Sequence, residues 1–472
     1  VTEQPYSFPH DAYAREVVER FGGLGPGEES GVVVAVAGRA MLVRPQGKLA
    51  FATLRDSTGE IQLFALADVT EAFDQFGQLR VGDWVGAAGE VVRTKRGELS
   101  VKVATFSVLA RTELGFGDKW HGINDPDLRY RHRELDLWAN PSSRTVLDRR
   151  HAMLRSVREE LWARGFVEVE TPVLNPIPSG GTAERFVTHY RSLSTDMFLR
   201  IAPELWLKRL VVGGYERVFE IGKLFRNEGI DRWHTPEFTT VEIYAAYWDF
   251  ESMMGLTEEL VAACVADVLG TTTLTYQGRP LEMGTPWTRA TMEELTSTAV
   301  GEEVSVRTPV DRLRALLAER GEPTPPASWG PGKLLEQLFS ATAERDLWAP
   351  TFVLDHPVEV SPLARRHRLD RELTERFEAF CVGHELANGF SELTDPEDQR
   401  ERFEVQARAR ADGDREAMAM DEDYLVALRY GLPPTAGLGI GLDRLAMVLG
   451  DVANIREVIA FPTLRPLGQP EG

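Results

Sequence analysis

The sequence predicts a multi-domain protein: a small N-terminal β-barrel followed by an α+β domain built on an antiparallel sheet flanked by helices. Three observations carry this prediction. The chain has 472 residues, more than one hydrophobic core usually supports. Between residues 31 and 109 short strand patterns follow one another, separated by turn formers. After Arg144, helices and strands alternate without the regular strand-helix-strand order that a parallel sheet requires.

The barrel segment contains GVVVAVAGRAML, KLAFATLRD, GEIQLFAL, DWVGAAGEVVRT and GELSVKVATFSVLA, punctuated at Pro45-Gln46-Gly47, Ser57-Thr58-Gly59 and Lys95-Arg96-Gly97. Five strands with one helix-like insert over 68–77 suggest a Greek-key barrel of the OB type. Periodicity alone leaves a purely structural barrel and a single-strand nucleic-acid binder on an equal footing. Phe51, Gln62 and Glu98 fall on three different predicted strands and supply a stacking face, an amide and a carboxylate suited to reading a base edge. The preceding residues 1–30 read as an extension with a partial helix. Residues 113–143 are rich in charge and turn formers and read as a linker, with Arg129, Arg131 and Arg133 on a solvated hinge or a phosphate-facing ridge.

Residues 144–472 form the second predicted domain. A long amphipathic helix spans about 143–164, with Val146, Leu147, Met153, Leu154, Val157 and Leu161 at helical spacing, and Gly165 stops it. A short alternating strand over 166–172, a Gly-containing run at 178–181 and a strand over 197–201 lead to a helix that starts at Pro203. Residues 217–221 and 238–247 read as two antiparallel strands, a helix covers 252–269, and 270–345 read as an appended helical insertion. The run from Phe377 to Leu393 alternates and carries Glu378, Glu385, Asn388, Phe390 and Glu392. A Gly-rich strand, Gly437 to Gly441, runs directly into a helix with Asp443 and Arg444. Its glycines have the wrong spacing and chain position for a dinucleotide fingerprint.

The connection FRNEGIDRWHTPEF, residues 225–238, is far longer than a hairpin needs. It carries Arg226, Glu228, Arg232 and His234, with Phe238 at the start of the next strand. Such a loop fits either a solvated charged turn or a grip on an anionic, planar ligand such as a nucleotide, with guanidinium for phosphate and an aromatic for the ring face.

Composition narrows the classes. The net charge is -20, of which residues 1–115 contribute only -3, so bulk electrostatics does not drive binding to nucleic acid and any such contact is shape- and site-specific. Cys264 and Cys381 lie in unrelated contexts, which argues against a disulfide framework or a zinc site and suits a reducing, cytoplasmic setting. Neither a secretory leader nor an apolar run of bilayer length is expected.

GFVEVETP after the long helix, FRNEG with PEF downstream, and GLGIGLDR near the end together resemble motifs 1, 2 and 3 of class II aminoacyl-tRNA synthetases. Within that class the chain is similar to the bacterial lysyl-tRNA synthetases over nearly its whole length, through GKLAFATLRD, TKRGELSVKV, RIAPELWLKRLVVGGYERVFEIG, NGFSELTDPEDQRERF and DEDYLVALRYGLPPTAGLGIGLDR. The resemblance implies ATP on the sheet, held by Arg226, Glu228, His234, Phe238, Glu385 and Arg444, with Arg226 and Arg444 the catalytic pair and Glu378 and Glu385 holding Mg2+. It implies L-lysine bound by Gly180, Glu204, Arg226, Glu242, Tyr244, Asn388, Phe390 and Glu392, the last as end wall for the side-chain ammonium. Glu242 and Tyr244 are two apart, as are Asn388, Phe390 and Glu392, so each set faces one side of its strand. The resemblance further implies that Phe51, Gln62 and Glu98 read the anticodon of tRNA(Lys), and that the chain is a homodimer through residues 147–172. One departure is the run Ser179 to Phe186, where Glu184 replaces a small residue's basic neighbour and Arg185 a proline. Two other readings compete: a protein lysyltransferase, disfavoured by the barrel, and a non-catalytic paralogue, disfavoured by intact Arg226, Arg444, Glu378 and Glu385.

Overall fold

The structure, a computed structural model, describes residues 4–114, 123–177, 180–181 and 183–466. The chain divides into two compact units, Val1–Asp125 and Pro126–Gly472.

The first unit is a closed barrel of β1 (Glu29–Gln46), β2 (Leu49–Arg55), β3 (Glu60–Leu66), β4 (Trp84–Arg93) and β5 (Leu99–Ala110), in the order β1-β2-β3-β5-β4. Strict alternation decides its faces: Ala50, Ala52, Leu54, Ile61, Leu63 and Ala65 point into the core while their neighbours point out. Helix α1 (Ala14–Phe21) packs Ala14 and Val17 into that core, so the N-terminal extension is part of the barrel. Only Phe73–Phe76 of the predicted insert is helical, as α2.

The second unit begins where a linker was expected. Residues 126–140 form α3 (Pro126–Arg131) and α4 (Arg133–Ala139), followed by α5 (Pro141–Ala163). Neither a hinge nor a ridge describes Arg133, which is 1% exposed. It binds Asp136 at 2.8 Å and the carbonyls of Arg456, Ile459 and Ala460, and Arg129 holds the same Asp136 at 2.9 Å. Alternating arginines looked solvated because no local pattern reveals a carboxylate and three carbonyls waiting in the tertiary structure.

The main sheet has eight strands: β6 (Val167–Glu168), β10 (Arg217–Phe225), β11 (Glu237–Ala246), β14 (Thr288–Thr291), β15 (Thr351–Leu354), β16 (Arg376–Cys381), β17 (His384–Ser391) and β18 (Thr435–Gly441). Their order is β14-β15-β16-β17-β18-β11-β10-β6, antiparallel except for a parallel pair at each edge. The strand expected over 166–172 is thus only two residues long. A second small sheet joins β7 (Leu174–Asn175), β9 (Thr195–Leu199) and β8 (Val187–Tyr190).

One face of the main sheet is apolar. Phe219, Val241, Ile243, Leu438, Ile440, Phe377 and Ala387 pack against α5, α7 (Phe250–Leu269) and α13 (Leu442–Gly450) in the largest core. The other face carries α6 (Glu204–Val212), α11 (Pro396–Ala411) and α12 (Glu422–Arg429) over one end and leaves the rest open. The segment 270–345 is not wholly helical. It opens with the hairpin of β12 (Thr273–Tyr276) and β13 (Arg279–Glu282), then β14 joins the main sheet, and only α8 (Met292–Val300), α9 (Val310–Glu319) and α10 (Pro331–Thr342) form a helical cluster with their own core.

Candidate active site

The open face of the sheet floors a cavity of ≈ 390 Å³. Strand register explains why these residues meet. Glu242 pairs with Gly439, Gly439 with Asn388, and Asn388 with Glu378, forming one row across four strands on the open face. The next row is Tyr244, Gly437, Phe390 and Arg376. Both glycines sit where a side chain would strike Glu242 or the pair Glu392 and Tyr244, so their bareness creates the depth of the cavity.

Glu378 and Glu385 reach the same face by a route that spacing did not reveal. They lie on the two arms of a hairpin, and the register slips between Ala379 and Phe380, so that Glu385 opposes Phe380 while Ala387 opposes Ala379. The extra residue turns Glu385 towards the cavity beside Asn388. Glu378 accepts from Arg376 at 2.6 Å, and Arg376 also donates to Asn388 at 3.1 Å.

The long β10–β11 connection forms the opposite wall. The Arg226 N–H donates to Pro236 O at 2.9 Å, closing the base of loop 226–236. The Arg226 guanidinium lies 5.2 Å from the Phe238 ring, and its buried Nε has no hydrogen-bond partner. Arg444, from the start of α13, donates to Glu385 O at 2.5 Å and to His234 Nε2 at 3.0 Å. A guanidinium only donates, so Nε2 accepts and the His234 proton sits on Nδ1, 2.8 Å from Asp231. Trp233 stacks on His384 with ring centroids 3.7 Å apart. Burial, with help from Arg444, pushes His384 down to about 4, which keeps that ring neutral. Asp443 ties the frame together, binding Arg150 of α5 and accepting from Thr239 N of β11 at 2.8 Å.

The far end of the cavity is acidic. Glu204, Glu242 and Tyr244 line it, and Glu242 accepts from the Tyr244 hydroxyl at 3.3 Å. Burial, reinforced by Glu204, pushes Glu242 up to about 8. Behind this wall lies Glu392, 1% exposed and ion-paired to Lys208 of α6.

Of the residues expected to hold ATP, lysine or Mg2+, Arg226, Glu228, His234, Phe238, Glu385, Arg444, Glu204, Glu242, Tyr244, Asn388, Phe390 and Glu378 all line this cavity. Two do not. Gly180, at φ +89, lies against Ala202 and its neighbour Gly181 takes the lining position, while Glu392 is reached only past Gly437. Sequence reasoning missed Trp233, Arg376 and Lys208. Trp233 lies inside the loop singled out, whereas Arg376 and Lys208 offered no signal beyond ordinary charge on a strand and a helix. The departure at 179–186 falls partly outside the described residues. Arg185 itself is buried and donates to the carbonyls of Arg415 and Ala417, at 2.8 and 3.1 Å, which anchors that segment as a proline would not.

On the barrel, Phe51 and Phe64 stack on the outer face with centroids 5.2 Å apart, and Gln62 donates to Ser100 at 2.8 Å. Glu98 is exposed in the turn before β5, one residue short of the strand expected to hold it. Phe64 extends the predicted stacking face to two rings.

Among the described residues no cluster of three or more His, Cys, Asp or Glu side chains is arranged to hold a metal.

The chain belongs to the class II tRNA synthetases: a family model described as tRNA synthetases class II (D, K and N) matches residues 125–465, and one described as OB-fold nucleic acid binding domain matches 34–109. Curated relatives are each named Lysine--tRNA ligase. The Nostoc punctiforme protein is 47% identical over 98% of this chain and 85% of its own length. A Synechococcus protein is 51% identical over 94% and 89%, and that of Moorella thermoacetica is 48% identical over 98% and 93%.

Proposed function

We infer that this enzyme is a lysine–tRNA ligase, which joins L-lysine to ATP as lysyl-adenylate, releases pyrophosphate, and passes the lysyl group to the 3′-terminal adenosine of tRNA(Lys). The observation that carries the reading is the buried acidic wall of the cavity: Glu204 and Glu242 line it, Glu392 lies behind it, and the Arg226 guanidinium faces the same space. An amino acid with a long cationic side chain matches that layout, with its carboxylate towards Arg226 and Asn388 and its two ammonium groups among the glutamates.

ATP would lie against Phe238, with Arg226 on the α-phosphate, Arg444 on the γ-phosphate, and Glu228 and His234 at the edges. The unpartnered Nε of Arg226 supports that assignment, because a buried guanidinium N–H without an acceptor calls for a ligand oxygen. The lysine carboxylate is itself the nucleophile, so the residues supply alignment and charge neutralisation and no general base is needed. Glu378 and Glu385 would hold Mg2+, which when bound neutralises phosphate charge. The barrel would bind the anticodon through Phe51, Gln62 and Glu98.

Two further assignments belong to this reading. A homodimer is supported by exposed apolar side chains at Trp162 and Val167 within the expected interface, and at Val173, Leu174, Val187, Tyr190 and Leu193 beyond its end. A cytoplasmic setting is supported by two free, buried cysteines, and no described helix is long and apolar enough to cross a membrane.

The test is ATP–pyrophosphate exchange with each of the twenty amino acids. Exchange is expected with lysine and to fall at least about a hundredfold in Arg226→Ala, since one transition-state donor is commonly worth that much. Exchange with none of the amino acids, or with another in preference to lysine, would contradict the assignment.

A further inference from the structure

Lys208 is 0% exposed, an unusual place for an ammonium. Its Nζ lies 2.6 Å from Glu204 Oε1, one turn back on α6, and is ion-paired to Oε2 of Glu392, which follows β17. The Phe390 ring lies 5.4 Å away and the Tyr424 ring 5.9 Å away. These rings and the two carboxylates surround the ammonium; Glu204 and Phe390 line the cavity, and Lys208 itself does not.

The arrangement divides the work of Glu392. Both oxygens are buried and outside hydrogen-bond geometry, but Oε2 is ion-paired to Lys208, whereas Oε1 lies over Gly437, at a spot where any Cβ would collide with it. Gly437 lines the cavity. A dry carboxylate oxygen without a donor is costly, and a donor arriving from the cavity past Gly437 would relieve that cost. Without a cation between them, Glu204 and Glu392 would repel one another in a site of low dielectric, and Glu392 would lose its fixed aim.

We propose that Lys208 is a specificity-positioning residue, an internal ammonium that clamps Glu204 and Glu392 at a fixed spacing and presents Glu392 Oε1 to the side-chain ammonium of the substrate. This rests on the lysine reading of the site. Lys208 touches no substrate and acts through the two glutamates. Burial works against its charge, but Glu204 and Glu392 outweigh that and hold it firmly protonated.

Lysine-dependent ATP–pyrophosphate exchange in the unaltered chain, Lys208→Met, Lys208→Arg, Glu392→Gln and the Lys208→Met/Glu392→Gln double variant tests the proposal. Lys208→Met should raise the KM for lysine by at least about thirtyfold and leave the KM for ATP within about twofold, with Lys208→Arg recovering part of the loss. In the Glu392→Gln background the same substitution should add less than about threefold, because residues that act as one unit are not additive. An unchanged or lower lysine KM in Lys208→Met, an equal rise in the KM for ATP, or full additivity in the double variant would overturn the proposal while leaving the function standing. Absence of lysine-dependent exchange in the unaltered chain would overturn both. Should Lys208→Met alone fail to fold, the comparison of Glu392→Gln with the double variant, which strands one buried charge fewer, decides the question on the same criterion.

Discussion

At the scale of single residues, Glu242 gives the site a pH dependence. Burial and the nearby Glu204 raise its carboxyl from the usual 4.5 to about 8. The folded protein therefore binds one more proton than the unfolded chain between those values, so this group's contribution to stability is full below 4.5 and declines as pH rises to about 8. A substrate ammonium beside Glu242 favours the ionised form, so lysine binding should release a proton below pH 8. The KM for lysine is expected to fall as pH rises from 6 to 8, by up to about tenfold per unit. The same profile in Glu242→Gln should be flat over that range, and a flat profile in the unaltered chain would show that Glu242 does not titrate there.

At the scale of elements, the barrel and the sheet would carry two functions that a pair of assays can tell apart. Phe51 on β2 stacks on Phe64 of β3, outside the barrel core, so its removal opens no cavity in the hydrophobic cluster. A base stacked on such a ring gains about 1–3 kcal/mol, so Phe51→Ala should cut tRNA aminoacylation at limiting tRNA by roughly tenfold or more. Pyrophosphate exchange, which needs no tRNA, should be unaffected. Equal losses in both reactions would mean that the substitution disturbs folding and that Phe51 has no special part in tRNA binding. The β16–β17 hairpin shows the same dependence of function on an element's detail. Its bulge, one residue long, decides whether Glu385 faces the cavity or the core.

At the scale of the whole molecule, the exposed apolar side chains between Trp162 and Leu193 are the feature that a single chain leaves unexplained. Each such side chain gains about 1.5–3 kcal/mol on burial, so several meeting their symmetry mates would hold a dimer together. Sedimentation should give twice the chain mass at micromolar concentration. A Val187→Asp/Leu193→Asp variant should shift this to the monomer and lose exchange activity with it. A monomer of unaltered sequence and full activity would remove the dimer from the account.

The sequence by itself determined the five strands of the barrel, the long helix α5 and which residues of β11, β17 and β18 share a face. Period-two alternation states which residues of a strand share a face, and the three motifs carry Arg226, Phe238 and Arg444 wherever the strands are placed. Only the tertiary structure decided what lies opposite what. Lys208, four residues after Glu204 on a helix, reads in sequence as an ordinary surface pair, and its second partner Glu392 lies 184 positions further on. Arg133 reads as a hinge residue, and besides Asp136 its partners are carbonyls more than 300 positions away. The burial of a charge depends on whether distant groups pay its desolvation, and local pattern carries no record of them.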